Sequence, residues 1–171
     1  AGVSLHRLSL HAGLGTIYRI KPCGPHLVNL AQPRSKSIVH HVDVQFGDRD
    51  PAGIVFFPNY SRWMDAASHH FFVACGLPPW RALHALPDCV GAPLLEIHTR
   101  FHAAVTYGER IDFHTCIEEW RGKVFIQHHR VTRGDDLICE GRETRALCVR
   151  SSSGKLKAVP VPDFIRAACS A

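Results

Sequence analysis

Residues 46–60 read FGDRDPAGIVFFPNY, and this stretch joins a predicted strand to a long predicted helix. Glycine and proline interrupt any regular period in residues 47–53, which are therefore predicted to form a loop. Pro58 suits the first turn of a helix, where its missing N–H would have no partner. A loop rich in aspartate that leads into a helix brings carboxylates close to unpaired backbone N–H groups. This junction is the first candidate for a functional site.

The helix is predicted from an apolar stripe that recurs at intervals of three and four residues. Its members are Tyr60, Trp63, Met64, Ala67, Phe71 and Ala74. Gly76 suits the position just after the helix, and the prolines at 78 and 79 prevent its continuation. Trp63 and Phe71 are interpreted as core residues rather than as an aromatic ligand site, because such a stripe is more typical of packing.

Strands are predicted on both sides of this helix. Before it, residues 38–46 alternate so that Val42, Val44 and Phe46 share a face. After it, five runs are predicted as strands, namely 94–105, 110–120, 124–132, 137–150 and 156–161. The residues sharing one face of the second run are Ile111, Phe113, Thr115 and Ile117. Pro162 predicts a short helix at the carboxyl end.

The order of one strand, one long helix and then a series of strands indicates an α+β protein. An antiparallel sheet wrapped around one long central helix fits this order. A split ferredoxin-like arrangement is the alternative, but a second comparable helix between the strands is missing.

The charge of the chain divides it into two parts. The 171 residues carry a formal charge of +5 and are 46% hydrophobic, which suits one globular domain and excludes a mainly disordered chain. No run reaches the ~18 apolar residues of a membrane-spanning helix. Five Lys or Arg residues and no acid lie in residues 1–37, whereas residues 38–171 balance 15 basic against 15 acidic residues. We predict a leader at 1–37, disordered or non-native, and a domain at 38–171; an organellar transit peptide or a working basic tail is the alternative for the leader.

Cysteine and histidine are numerous but are not arranged as metal ligands. The seven Cys include no C-x-x-C pair, and their odd number and scatter favour a reducing, cytoplasmic compartment over a disulfide framework. The 13 His include no H-E-x-x-H motif and no cluster at zinc spacing. We expect structural or surface histidines and no metal site.

The stretch 46–60, followed by RWMDAAS at residues 62–68, resembles the signature of the 4-hydroxybenzoyl-CoA thioesterase family of the hot-dog fold. The resemblance continues through CGLPPWR at residues 75–81 and CIEEWR at residues 116–121, and it covers about residues 38–170. It implies a hot-dog fold and the hydrolysis of 4-hydroxybenzoyl-CoA, with CoA as part of the substrate and no separate cofactor. It also implies a homodimer or homotetramer, and neither a nucleic acid nor a membrane as partner.

The resemblance also implies roles for the residues of the junction. Asp50 would act as nucleophile or general base, and the Phe57 backbone N–H would polarise the thioester carbonyl. The residues alone do not exclude a purely turn-forming role for Asp50. They also do not decide between a covalent anhydride and base-assisted attack by water. Asp48 is interpreted as turn-forming. Gly53 and Phe56 are expected to line the acyl site.

Two further positions would recognise the ends of the substrate. Asp65 matches the family aspartate that accepts a hydrogen bond from the para-hydroxyl, although an exposed helix residue paired with Arg62 is the plainer interpretation. CoA phosphates need cations, which Arg121, Lys123 and Lys157 are expected to supply. Ordinary solvated charge is the alternative for these three.

Three functions are compatible with this pattern. The first is a thioesterase for 4-hydroxybenzoyl-CoA, or for another aromatic or short-chain acyl-CoA. The second is a non-catalytic acyl-CoA-binding hot-dog module, which a retained Asp50 disfavours. The third is a nucleic-acid binder that depends on the leader, for which no motif of interleaved aromatic and basic residues exists.

Overall fold

A computed structural model describes residues 35–171 of the chain. Its strands and helices are, in chain order, β1 (Ile38–Asp43), α1 (Pro58–Ala74), β2 (Cys89–Gly91), β3 (Leu94–Phe101), β4 (Arg110–Arg121), β5 (Val124–Arg133), β6 (Asp136–Ala146), β7 (Cys148–Arg150), β8 (Leu156–Ala158) and α2 (Asp163–Cys169). Short 3-10 turns occupy Phe46–Asp48 and Trp80–Ala82. The predicted α+β class, with an antiparallel sheet against one long helix, is confirmed.

The main sheet of the described chain has five antiparallel strands in the order β1-β4-β5-β6-β3. Two-residue turns join β4 to β5 and β5 to β6, and each begins with a glycine at positive φ, Gly122 at 58° and Gly134 at 56°. This backbone suits the type II′ turns that match the twist of paired strands. A second sheet holds three short strands in the order β2-β7-β8.

Helix α1 buries the face that its stripe predicts. Tyr60, Trp63, Met64, Ala67 and Phe71 are all buried, and Trp63 and Phe71 are core residues as expected. Ser68 and Phe72 are buried as well, whereas the predicted stripe member Ala74 is exposed. The helix has reached its last residue there, and the buried surface passes instead to Cys75 and Leu77 beyond its end.

The helix ends where the sequence predicts. Gly76 adopts a φ of 90°, and its N–H donates to the Val73 carbonyl oxygen at 2.9 Å. The Leu77 N–H then donates to Phe72 at 3.1 Å, which closes the last turn in the way a glycine after a helix permits.

Three predicted strands are longer than the observed ones, and one of them, the run at 156–161, stops at Ala158. The first ends at Asp43, so Phe46 does not share the buried face of Val44 and is 69% exposed. The reason is the Gln45 N–H, which donates to the Asp48 carboxylate at 2.8 Å and turns the chain out of the strand. The run at 94–105 stops at Phe101.

The predicted run at 137–150 divides at Leu147, because its last part leaves the main sheet. Residues 148–150 form β7 and pair with β2, a strand that the sequence does not predict. The second sheet therefore arises from long-range pairing that local periodicity does not reveal.

The chain makes domain contacts slightly before the predicted boundary at residue 38. The Lys36 N–H donates to the Cys169 carbonyl oxygen at 2.9 Å, and the Ser35 hydroxyl accepts from the Ile117 N–H at 3.0 Å. The rest of the predicted leader, residues 1–34, lies outside the described residues. No helix in the described part of the chain is long and apolar enough to cross a membrane.

Candidate active site

The loop between β1 and α1 is a small hairpin closed around Asp50. Arg49 and Val55 form an isolated antiparallel bridge, and the Asp50 N–H donates to the Ile54 carbonyl oxygen at 2.9 Å. The Gly53 N–H donates to the Asp50 carbonyl oxygen at 2.9 Å, and the φ of Gly53 is 80°. Glycine tolerates this left-handed backbone without steric cost. These bonds fix the backbone of Asp50 from both sides.

The Asp50 carboxylate has one turn-forming oxygen and one free oxygen. Oδ1 accepts the Ala52 N–H at 2.8 Å, which is the local bond of an Asx-turn. Oδ2 has no hydrogen-bond partner within residues 35–171. The turn-forming and chemical interpretations of Asp50 are therefore compatible, because each uses a different oxygen.

Asp48 connects this hairpin to its surroundings. It is buried, and its carboxylate accepts the Gln45 N–H at 2.8 Å and the Arg62 guanidinium at 3.1 Å. Its carbonyl oxygen accepts the Phe56 N–H at 2.8 Å and the Asn59 side-chain amide at 2.9 Å. Asp48 is turn-forming as predicted, and in addition it ties the loop to the start of α1.

A single backbone donor remains at the start of α1. Pro58 has no N–H, the Asn59 N–H donates to Phe56 at 2.9 Å, and the Tyr60 N–H donates to Phe57 at 3.1 Å. The Phe57 N–H, at the N-cap position, has no acceptor among the described residues. It lies at the positive end of the helix dipole, where an oxygen that gains negative charge is stabilised.

Asp65 pairs with a residue that the sequence does not suggest. Its Oδ1 accepts Arg145 Nη2 at 2.8 Å, whereas Arg62 bonds to Asp48 instead. Asp65 lines a cavity of about 390 Å³ that also touches His69, Trp80 and Arg145. Asp65 is therefore an exposed helix residue, as the plainer interpretation has it, but its partner is Arg145 and not Arg62.

The predicted acyl-site residues lie next to the hairpin. The Phe56 and Phe57 rings meet edge to face, with their centres 5.4 Å apart, and their exposed fractions are 47% and 66%. The Gly53 carbonyl oxygen accepts the Thr106 hydroxyl at 2.7 Å, which anchors the hairpin to the segment before β4. Two exposed aromatic rings at the mouth of a loop offer apolar surface to an acyl group.

The three predicted CoA-binding residues are exposed. Arg121 donates to Glu119 at 2.6 Å, and Lys123 follows it in the turn between β4 and β5. Lys157 lies on β8, opposite Val149. The structure thus leaves these cations accessible to phosphate, but a carboxylate already engages Arg121.

Other nucleophiles and metal ligands are poorly placed in the described chain. No group of three or more His, Cys, Asp or Glu side chains within residues 35–171 could hold a metal ion. Burial raises the pKa of the thiol at each of the six described cysteines, to about 12 at Cys139 and further still at Cys169. Such thiols are inert at neutral pH. Asp50 therefore remains the best-placed group for attack or base catalysis.

Comparison with known proteins assigns the family. The family model of the thioesterase-like superfamily matches residues 44–169. The chain belongs to this superfamily. The family and the hot-dog fold that residues 46–60 predict are confirmed.

Characterised relatives of this thioesterase-like protein include enzymes for aromatic acyl-CoA. It is 42% identical over 137 residues to a 4-hydroxybenzoyl-CoA thioesterase of Pseudomonas sp. strain CBS-3, covering 77% of this chain and 96% of the relative. A crystal structure of a 4-hydroxybenzoyl CoA thioesterase variant in complex with 4-hydroxybenzoyl CoA matches with a TM-score of 0.73, 40% identity, and coverage of 78% of this chain and 99% of that one. A gentisyl-coenzyme A thioesterase structure matches with a TM-score of 0.65, 34% identity, and coverage of 77% and 98%.

Sequence reasoning missed two arginines that contact the predicted site residue Asp65 and the turn that carries Arg121 and Lys123. Arg145 holds Asp65, and Arg166 on α2 donates to the Gly122 carbonyl oxygen at 3.3 Å, beneath the basic turn. A signal for Arg145 was present in β6, where alternation places residues 143 and 145 on the inward face with Cys139. Charged residues at inward positions of a strand need partners, because an unpaired buried charge is costly.

Proposed function

We propose that this protein hydrolyses 4-hydroxybenzoyl-CoA to 4-hydroxybenzoate and CoA. The observation that carries the proposal is the junction of hairpin and helix, where a free Asp50 oxygen and the free Phe57 N–H belong to one hydrogen-bonded unit. A carboxylate to attack or activate water, beside a donor for the carbonyl oxygen, is what thioester hydrolysis requires.

The reaction assigns one role to each group. The Phe57 N–H donates to the thioester carbonyl oxygen and stabilises the negative charge that forms there. If Asp50 attacks the carbonyl carbon through Oδ2, the C–S bond breaks, CoA leaves as the thiolate and takes up a proton, and an anhydride between Asp50 and the acyl group remains. Water then attacks the acyl carbon of the anhydride, which breaks the bond to Asp50 Oδ2, releases the product and restores the carboxylate. If Asp50 instead takes a proton from water, that water attacks the thioester carbon directly and the C–S bond breaks in the same way, with CoA leaving as the thiol. No cofactor is required.

The acyl group would extend along α1. Asp65 follows Phe57 by eight residues, a rise of about 12 Å along the helix axis. In this proposal a hydroxybenzoyl group would lie between these two residues, with its carbonyl at the Phe57 N–H and its para-hydroxyl at the Asp65 carboxylate. The gentisyl-coenzyme A relative makes another hydroxylated aromatic acyl-CoA the second candidate substrate.

CoA binding, assembly and location complete the proposal. Arg121, Lys123 and Lys157 would contact the CoA phosphates as exposed cations.

The edges of the main sheet are β1 and β3, and β3 exposes Leu94, Leu95 and Phe101, an apolar edge that pairing of two copies would cover. Such pairing would give a homodimer, and association of two such dimers would give a homotetramer. Six free thiols in the described chain support a reducing, cytoplasmic location.

The test compares wild type with Asp50→Asn by release of free CoA thiol from 4-hydroxybenzoyl-CoA. Asparagine retains the acceptor for the Ala52 N–H, so the hairpin is expected to persist. We expect kcat to fall by about 10²-fold or more. Asp135→Asn, a change in the exposed β5–β6 turn, is the matched control and should turn over like wild type. Equal turnover by Asp50→Asn and wild type would refute the role of Asp50.

A further inference from the structure

A continuous chain of polar side chains runs from the surface of α1 into the main sheet. It comprises Asp65, Arg145, Glu143, His129 and Thr115, and we call it the buried polar chain. Arg145 Nη2 donates to Asp65 Oδ1 at 2.8 Å, and Arg145 Nε donates to Glu143 Oε2 at 2.8 Å. His129 then contacts the same Glu143 oxygen at 3.1 Å through Nε2 and the Thr115 hydroxyl at 2.9 Å through Nδ1.

The inner part of the buried polar chain is sealed from solvent. The exposed side-chain fractions are 6% for Arg145, 1% for Glu143 and 0% for His129. Burial alone would raise the pKa of Glu143, but hydrogen bonds from His129 and Arg145 outweigh burial, so the pKa lies below its ordinary value. Glu143 is therefore a buried anion that needs the Arg145 cation.

These contacts hold the Arg145 guanidinium in one orientation. Nε is bonded to Glu143, Nη1 donates to the Ala92 carbonyl oxygen at 3.1 Å, and Nη2 points to Asp65. A planar guanidinium bonded on three sides has no freedom to rotate. Its direction is set by the sheet and by the segment that joins β2 to β3, not by α1.

The outer end of the buried polar chain, Asp65, differs from the inner part. The Asp65 side chain is 72% exposed, and its Oδ2 has no partner within the described residues. An exposed carboxylate on a helix normally samples several rotamers, and fixing it costs conformational entropy. Here the buried guanidinium holds Oδ1, which leaves Oδ2 as an oriented acceptor on the wall of the 390 Å³ cavity.

We propose that Arg145 is a positioning residue that sets the acyl specificity of the enzyme through Asp65. The inference deepens the proposed function and rests on it, because it concerns the same acyl site. It names a substrate class: an aromatic acyl-CoA whose para substituent donates a hydrogen bond, such as a hydroxyl or an amine. A methoxy group, which only accepts, should be discriminated against like the unsubstituted ring.

The experiment measures binding as well as turnover. Non-hydrolysable thioether analogues of 4-hydroxybenzoyl-CoA and benzoyl-CoA are titrated into wild type, Arg145→Lys and Arg142→Lys, and kcat/KM is measured for the two thioesters. A lysine ammonium is a point charge and cannot bridge Glu143 and Asp65 as the guanidinium does. Arg142 is the matched control, since it lies on the same strand and pairs with Glu118 at the surface.

In wild type we expect the hydroxylated analogue to bind at least about tenfold more tightly than the unsubstituted one, as a hydrogen bond to a charged group allows. In Arg145→Lys the dissociation constants of the two analogues should differ by less than about threefold, because binding of the hydroxylated analogue weakens while that of the unsubstituted analogue changes little. Arg142→Lys should leave the ratio unchanged. A folded Arg145→Lys protein that keeps the wild-type ratio would overturn the proposal, because a purely structural role changes stability but not the ratio.

A second variant covers the case in which Arg145→Lys does not fold. Arg145→Gln combined with Glu143→Gln removes both buried charges, which avoids the large penalty of an unpaired one. If this protein no longer binds the hydroxylated analogue more tightly than the unsubstituted one, the proposal is supported. If it keeps the wild-type preference, the proposal is overturned. Because the binding ratio needs no turnover, failure of hydrolysis by wild type would contradict the proposed function alone.

Discussion

The Arg62 guanidinium, on the exposed face of α1, lies 3.1 Å from the Asp48 carboxylate in the loop that carries Asp50. Arg62 is 67% exposed at its side chain, whereas Asp48 is 12% exposed. The ion pair itself therefore contributes little, as is usual for a pair open to water. The larger contribution comes from the buried partner, whose carboxylate also accepts the Gln45 N–H.

This asymmetry predicts different results for the two partners. Asp48→Ala removes the acceptor of the Gln45 N–H and should lower the free energy of unfolding by about 1–3 kcal/mol. Arg62→Gln should cost less than about 1 kcal/mol. Urea unfolding measures both values. Equal costs for the two variants would show that Asp48 does not act through the loop backbone.

The CoA-binding prediction concerns the exposed turn between β4 and β5. Arg121→Gln combined with Lys123→Gln should raise KM for the acyl-CoA by about fivefold, or about 1 kcal/mol, for each cation that pairs with a phosphate. Turnover at saturation should change little, because neither residue lies in the loop that carries Asp50. KM should also become less sensitive to salt, since exposed charges are screened.

Arg110→Gln is the control for this variant. Arg110 is also exposed and pairs with a carboxylate, in its case Asp43 on β1. Its KM should equal that of wild type. If the double variant also keeps the wild-type KM and salt dependence, the turn does not bind CoA.

The elements that the sequence predicts well are those set by local pattern. The stripe of α1 and the alternation in β4 depend on residues a few positions apart, and Ile111, Phe113, Thr115 and Ile117 are all buried as expected. The start of α1 at Pro58 is predicted as well, because proline is favoured in the first turn of a helix.

The parts that the sequence does not predict depend on contacts between distant segments. Arg145 meets Asp65 across 80 positions, and β2 pairs with β7 across about 58 positions. The alternation of β6 indicates that Arg145 points inward, but no local pattern indicates which distant segment either one contacts. The prediction that Phe46 lies on the buried face of the first strand is wrong for another reason. The residues do alternate up to Phe46, but the hydrogen bond from the Gln45 N–H to the Asp48 carboxylate turns the chain out of the strand before it.

Two histidines between β1 and α1 predict a dependence of stability on pH. The ring centres of His40 and His70 lie 5.4 Å apart. Burial is the main cause that lowers the pKa of His40, and the neighbouring His70 and His41 lower it further. The folded protein thus binds a proton at His40 less readily than the unfolded chain, whose pKa is near the ordinary value of 6.5.

Linkage then sets the sign of the effect. The contribution of His40 to stability is complete above the unfolded pKa and is lost as the pH falls through the lower folded value. Burial also lowers the pKa of His128, which acts in the same direction. The free energy of unfolding should therefore fall between about pH 7 and pH 5. Urea titrations across this range measure the decrease.

His40→Gln should reduce this decrease, because glutamine has no charge to gain, and His128 should account for the remainder. His98→Gln, a change at an exposed position on β3, is the control and should retain the full wild-type decrease. A decrease as large in His40→Gln as in wild type would mean that protonation between β1 and α1 does not couple to folding. A smaller decrease would identify the contact of β1 with α1 as a site where acid weakens the fold.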